Sequence, residues 1–93
     1  MDRKLLADIL DKSSGLDKKG EDYLAADEHR ASVYLGGSSS TTVLTEIVRL
    51  TLHETHLEAE AKDRTIHYVT YEPVFGLAVR GPRESGPGGR TGF

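Results

Sequence analysis

The sequence predicts a mainly β domain: an N-terminal helix, then four or five short antiparallel strands curled into a small, strongly bent barrel, then a disordered C-terminal tail. Three observations carry this expectation. Apolar residues first recur at helical spacing, with Leu5, Leu6, Ile9 and Leu10 on one side of the segment Asp2 to Leu10. From Arg30 the hydrophobic period changes from the helical value to two, the period of a half-buried strand. From Gly81 the chain reads Gly-Pro-Arg-Glu-Ser-Gly-Pro-Gly-Gly-Arg-Thr-Gly-Phe, which has almost nothing to bury. At 93 residues the chain is long enough for one core and too short for two. It divides into a helical segment over 1–29, a barrel over 30–80 and a glycine- and arginine-containing tail over 81–93.

Each element has its own signal. Ser13-Ser14-Gly15 ends the first helix, and a second helical patch is expected over 16–29, where Tyr23, Leu24, Ala25 and Ala26 lie among charges and Gly20 interrupts. Ala31, Val33 and Leu35 then share one side of a strand, followed by a flexible loop, Gly36-Gly37-Ser38-Ser39-Ser40-Thr41-Thr42. Over Ile47 to His53, Val48, Leu50 and Leu52 point one way and Arg49, Thr51 and His53 the other. After Glu54-Thr55 the alternation resumes with Leu57, Ala59 and Ala61; a turn at Asp63-Arg64 leads to a strand over 65–71, and 74–79 closes the fold. Residues 43–62 can also be drawn as one long helix. That drawing puts Glu54 and Glu58 into the apolar stripe beside Val43, Ile47 and Ala61, whereas two strands keep every apolar position on one face. The expected core is Val33, Leu35, Val48, Leu50, Leu52, Leu57, Ala59 and Val79.

Composition narrows the function. The absence of cysteine excludes a disulfide framework and a thiolate zinc site. No apolar run approaches the roughly 18 residues of a membrane span, and the N-terminus lacks a signal-peptide core, so a soluble cytoplasmic protein without membrane contact is expected. The formal charge of −3 is unevenly spread: 1–29 carry eight acids against five Lys/Arg, 30–79 six against four, and 80–93 three arginines against one glutamate. An acidic body does not draw nucleic acid by its overall field, so any such site must be local.

The strand Ala31-Ser32-Val33-Tyr34-Leu35 and the closing stretch Tyr71-Glu72-Pro73-Val74-Phe75-Gly76-Leu77-Ala78-Val79 resemble the first strand and the final turn and strand of the Sm-like family, whose bacterial branch is Hfq. Glu54 corresponds to the acidic turn position after that family's second strand. The resemblance covers about residues 31–80 and implies an Sm-like or SH3-like barrel. It further implies a homo-oligomeric ring of six or seven copies, the fourth strand of one pairing with the fifth of the next, that binds single-stranded RNA. Of the family's tyrosine-lysine-histidine turn only Tyr71 is matched. Glu72 and Pro73 replace the basic pair, reversing the charge offered to a phosphate. The family's glycine in the bent second strand is absent around Val48-Arg49-Leu50, and the first loop is longer.

Single-stranded RNA is recognised by aromatic platforms with cations nearby. Tyr71 and Tyr68 are the expected stacking residues, with Arg49, Arg80 and Arg83 the expected phosphate contacts; Tyr34 and Phe75 are further aromatics that equally serve core or interface. His53-Glu54-Thr55-His56 superficially resembles a zinc motif, but its histidines are three apart instead of four and, even with Glu58, only three donors are in view. No metal or other cofactor is expected. Ser38, Ser39 and Ser40 have no recognisable base partner and the loop lacks a phosphate-binding lysine, so no catalysis is expected. Two readings follow: an Sm-like oligomeric RNA binder, or a non-catalytic assembly module that uses the barrel for self-association or docking of a protein partner. The acidic body and Glu72-Pro73 speak for the second.

Overall fold

A computed structural model describes residues 1–82. It is mainly β, with one N-terminal helix and a strongly curled antiparallel sheet that makes half a barrel. The expected tail therefore lies outside the described residues from 83 onward, and Arg83 with it.

Helix α1 spans Arg3–Lys12. Asp2 caps it by accepting a 2.7 Å hydrogen bond from the Leu5 N–H, satisfying one of the orphan donors of the first turn. Leu6 and Leu10, one turn apart, are both buried, while Leu5 stays exposed. Gly15 ends the segment at a φ of +87°, and a Cβ there would lie 2.4 Å from the His29 ring. Glycine is thus required for both conformation and space.

The second helical patch is not formed. Residues 16–29 hold a β-hairpin, β1 (Leu16–Lys19) and β2 (Asp22–Ala25), paired from Leu16 opposite Ala25 to Lys19 opposite Asp22. Gly20, at a φ of +65°, is the first of two linking residues and carries the positive φ that a tight hairpin turn needs. The glycine that weakens a helix is the residue that closes this hairpin. Tyr23 supplies the tertiary reason: it is buried, lies opposite Leu50, and its hydroxyl donates a 2.6 Å hydrogen bond to Asp11 of α1.

The remaining strands are β3 (Arg30–Gly36), β4 (Thr41–Leu52), β5 (His56–Ala61), β6 (Ile66–Thr70) and β7 (Val74–Arg80). No continuous helix runs through 43–62. The flexible loop is shorter than expected, because β-branched Thr41 and Thr42 already pair with Gly36 and Leu35. The sheet runs β1-β2-β4-β3-β7 along one path, while β5 leaves the other edge of β4 and carries β6.

Strand β4 is the spine, and it bends twice. Opposite β3, Leu44 faces Val33 and Ile47 faces Ala31, so three steps on β4 match two on its partner. Glu46 occupies this bulge at a φ of +57°. Opposite β5, Ile47 pairs with Ala61 and Arg49 with Glu60, leaving Val48 as the extra residue. The bulges reset the alternation, and Leu44, Ile47, Leu50 and Leu52 all reach the core. Val48 was expected in that core and is instead only partly buried. Of the other expected core residues, Val33, Leu50, Leu52, Leu57 and Ala59 are buried, while Leu35 and Val79 pack against the core from its margin. The first of these bulges is made by a glutamate in the left-handed region.

Candidate functional site

The half-barrel does not close on itself. Among the described residues strand β6 pairs only with β5 and β7 only with β3, so both are open edges. The core layer ends raggedly there: Val69 on β6 and Leu77 and Val79 on β7 pack against the core while remaining partly exposed. On the convex face, Ile66 and Tyr68 of β6 and Phe75 of β7 are exposed at 40%, 64% and 58%. Phe75 is not isolated, since its ring lies 6.1 Å from that of Tyr34. A groove of about 580 Å³ between the first half of β4 and the β5–β6 hairpin, lined by Leu44, Ala61 and His67 among others, continues the opening. The edge of β1 differs in kind: it is four residues long and presents Asp17, Lys18 and Lys19 to solvent. Short length and lysine are devices that blunt an edge against pairing; β6 and β7 carry apolar side chains in their place.

The residues expected to hold RNA are dispersed. Tyr71, the residue after β6, lies inside the fold, 8% exposed, with its hydroxyl donating to the His53 carbonyl. Burial pushes that hydroxyl above its ordinary pKa. Tyr68, with most of its ring free, lies 6.1 Å from the His56 ring. Arg80 is exposed and pairs with Glu46 at 2.9 Å across the bulge. Arg49 is fully engaged: it donates to Glu60 at 3.0 Å, to Glu58 at 2.9 Å and to the Thr51 hydroxyl, which itself donates to Asp22 at 2.6 Å. Burial alone would lower the guanidinium pKa, but the hydrogen bonds to Glu58 and Glu60 hold it above its ordinary value. Hydrogen bonds from His53 and then Arg49 hold the Glu58 carboxyl below the usual range. Arg49 therefore fastens β2, β4 and β5 together on the convex face, with Nε, Nη1 and Nη2 each donating to a protein partner.

The tetrapeptide His53-Glu54-Thr55-His56 forms the β4–β5 turn, closed by a 3.0 Å bond from the His53 N–H to the His56 carbonyl. Its two imidazoles are stacked, with centroids 4.5 Å and planes 26° apart. Among the described residues no cluster of three or more potential ligands could hold a metal ion. Among the described residues no helix is long and apolar enough to cross a membrane. Sequence reasoning missed the two edges and the histidine stack. Edge status depends on pairing partners far away in the chain, and the stack on a turn geometry that His-x-x-His spacing leaves open.

Comparison with family models, with curated proteins and with solved structures finds no match for this chain. The fold and the open-edged site define a class of small, curled antiparallel sheets preceded by a helix.

Proposed function

We propose that this chain is a non-catalytic assembly module that self-associates by laying β6 of one copy along β7 of the next. The contrast among its edges carries this reading: β1 is short and charged, whereas β6 and β7 present Ile66, Tyr68, Val69, Phe75, Leu77 and Val79. Pairing would extend the ragged core across copies and cover the three exposed convex-face side chains at the same seam. The two edges are different strands, so the contact is heterologous and closes into a ring when the rotation between copies permits. Among the last five strands, the fourth and fifth lie at the two edges, and this order supports the Sm-like ring of six or seven copies. Light scattering on the full chain at tens of micromolar tests the reading. The expected mass is a multiple of 10.2 kDa, returning to one copy in Tyr68→Lys or Phe75→Lys; a monomeric native chain overturns it.

One observation favours the second reading, single-stranded RNA binding: Tyr68 and His56 offer neighbouring rings on the convex face. Base stacking on such rings contributes about 1–3 kcal/mol per base. Filter binding of short uridine- or adenine-rich RNA tests it, with salt-sensitive retention that weakens in Tyr68→Ala as the supporting result and no retention as the opposing one.

A further inference from the structure

The histidine stack lies at the β4–β5 turn, on the side of β6 that pairs with β5, and its surroundings hold its two members unequally. His53 is fixed on every side: its ring bonds Glu58 at 2.7 Å, and its carbonyl accepts from Tyr71 and from Arg3 at 3.2 Å. Glu58 is in turn locked by Arg49. His56 has only the Thr55 hydroxyl, 3.0 Å from its Nδ1, and its other ring neighbour is Tyr68 on β6. Histidine is the side chain that ordinarily changes charge between about pH 5 and 8. Two imidazoles stack comfortably while at most one is cationic, but a doubly protonated pair at 4.5 Å repels itself.

We propose that the His53–His56 stack is a proton-operated control on assembly. It supports Tyr68 and the β6 edge while at most one imidazole is charged, and it releases them when both are. The inference rests on the assembly reading above. The charged and titratable groups facing the pair are Glu58 of β5, Arg49 of β4, Arg3 of α1 with its partner Glu21, Glu54 of the turn, and Tyr68 and Tyr71 from the β6 side. Glu58 and Arg49 retain a protonated His53 in place, so the repulsion falls on His56. This ring moves away from His53 and gives up its place beside Tyr68. Acidification also shrinks the chain's net charge of −3, which by itself promotes association. Weakening in acid is thus opposite to the general electrostatic trend and diagnostic of a local device.

Sedimentation velocity of the full chain at about pH 7.5 and pH 5.5 reads the effect directly. The association constant is expected to fall about tenfold or more in acid. His56→Asn, which cannot form a dication with His53, is expected to lose the acid response, its association at the lower pH no longer falling below its own value at the higher pH. An assembly indifferent to pH, a pH response unchanged in His56→Asn, or a response removed by His67→Asn instead overturns the control while leaving the assembly reading standing. A monomer at both pH values overturns the assembly reading, and the control with it.

Discussion

Tyr23 shows how one side chain can join three elements. Its ring is buried opposite Leu50 of β4, its strand belongs to the hairpin, and its hydroxyl bonds Asp11 of the helix. Burial and then the Asp11 carboxylate push the phenol up to about 12, while the Tyr23 hydrogen bond and Lys18 hold Asp11 below its ordinary value. The folded state therefore prefers the neutral phenol. That contribution is fully present below the unfolded tyrosine value of about 10 and is lost as pH rises from there toward about 12. Unfolding free energies from urea denaturation, measured from pH 9 upward, are expected to fall through this window by up to about 2–3 kcal/mol, and Tyr23→Phe is expected to flatten the decline. Arg49 makes the parallel case for the convex face. Arg49→Ala strands Glu58 and Glu60 together and is expected to cost about 1–3 kcal/mol in urea denaturation, with Arg49→Lys restoring only part because an ammonium lacks the planar fork. Glu58, whose folded pKa is depressed, contributes stability above the ordinary carboxylate range and loses it as pH falls through the depressed value. The cost of Arg49→Ala should accordingly shrink in acid.

At the scale of elements, the sequence was readable wherever one local rule governed a segment. The first helix, the alternation of β5 and the turn at Asp63-Arg64 all follow from neighbours in the chain. The hairpin over 16–25 was not readable, because Lys18-Lys19-Gly20-Glu21-Asp22 masks its period with charge and its apolar purpose lies in a contact with Leu50. Period-2 reasoning found the second half of β4 but missed the parity changes, since a bulge leaves no mark when its residue is a glutamate. For the site, the sequence identified Tyr68 and the histidine pair as noteworthy residues. It left out that Tyr71 turns inward and that Arg49 is committed to Glu58, Glu60 and Thr51. The bulge at Glu46 is itself testable. A β-branched residue at a φ of +57° is strongly disfavoured, so Glu46→Val is expected to destabilise by about 1–2 kcal/mol in urea denaturation. Glu46→Gly relieves the backbone and should remain within about 0.5 kcal/mol of the native chain despite losing the exposed Arg80 pair. Equal losses in both variants would mean that the Arg80 pair, and not the backbone, sets the value of this position.

For the whole molecule, the decisive property is that its two apolar edges are not the same strand. Two copies meeting β6 to β6 or β7 to β7 would form a self-complementary dimer and stop, whereas β6 meeting β7 leaves one free edge at each end and recruits further copies until a ring closes. Mixing separates these geometries. Tyr68→Lys blocks β6 and leaves β7 open; Phe75→Lys blocks β7 and leaves β6 open; both positions are exposed, so neither substitution disturbs the core. Under the head-to-tail arrangement each variant alone is monomeric, and their equimolar mixture forms a dimer and nothing larger, because only one productive pair of edges exists in each couple. Under a self-complementary arrangement one variant dimerises unaided and mixing adds nothing. Native mass measurement reads the two cases from masses alone: one copy apart and two copies together in the first, two copies in a single unmixed variant in the second.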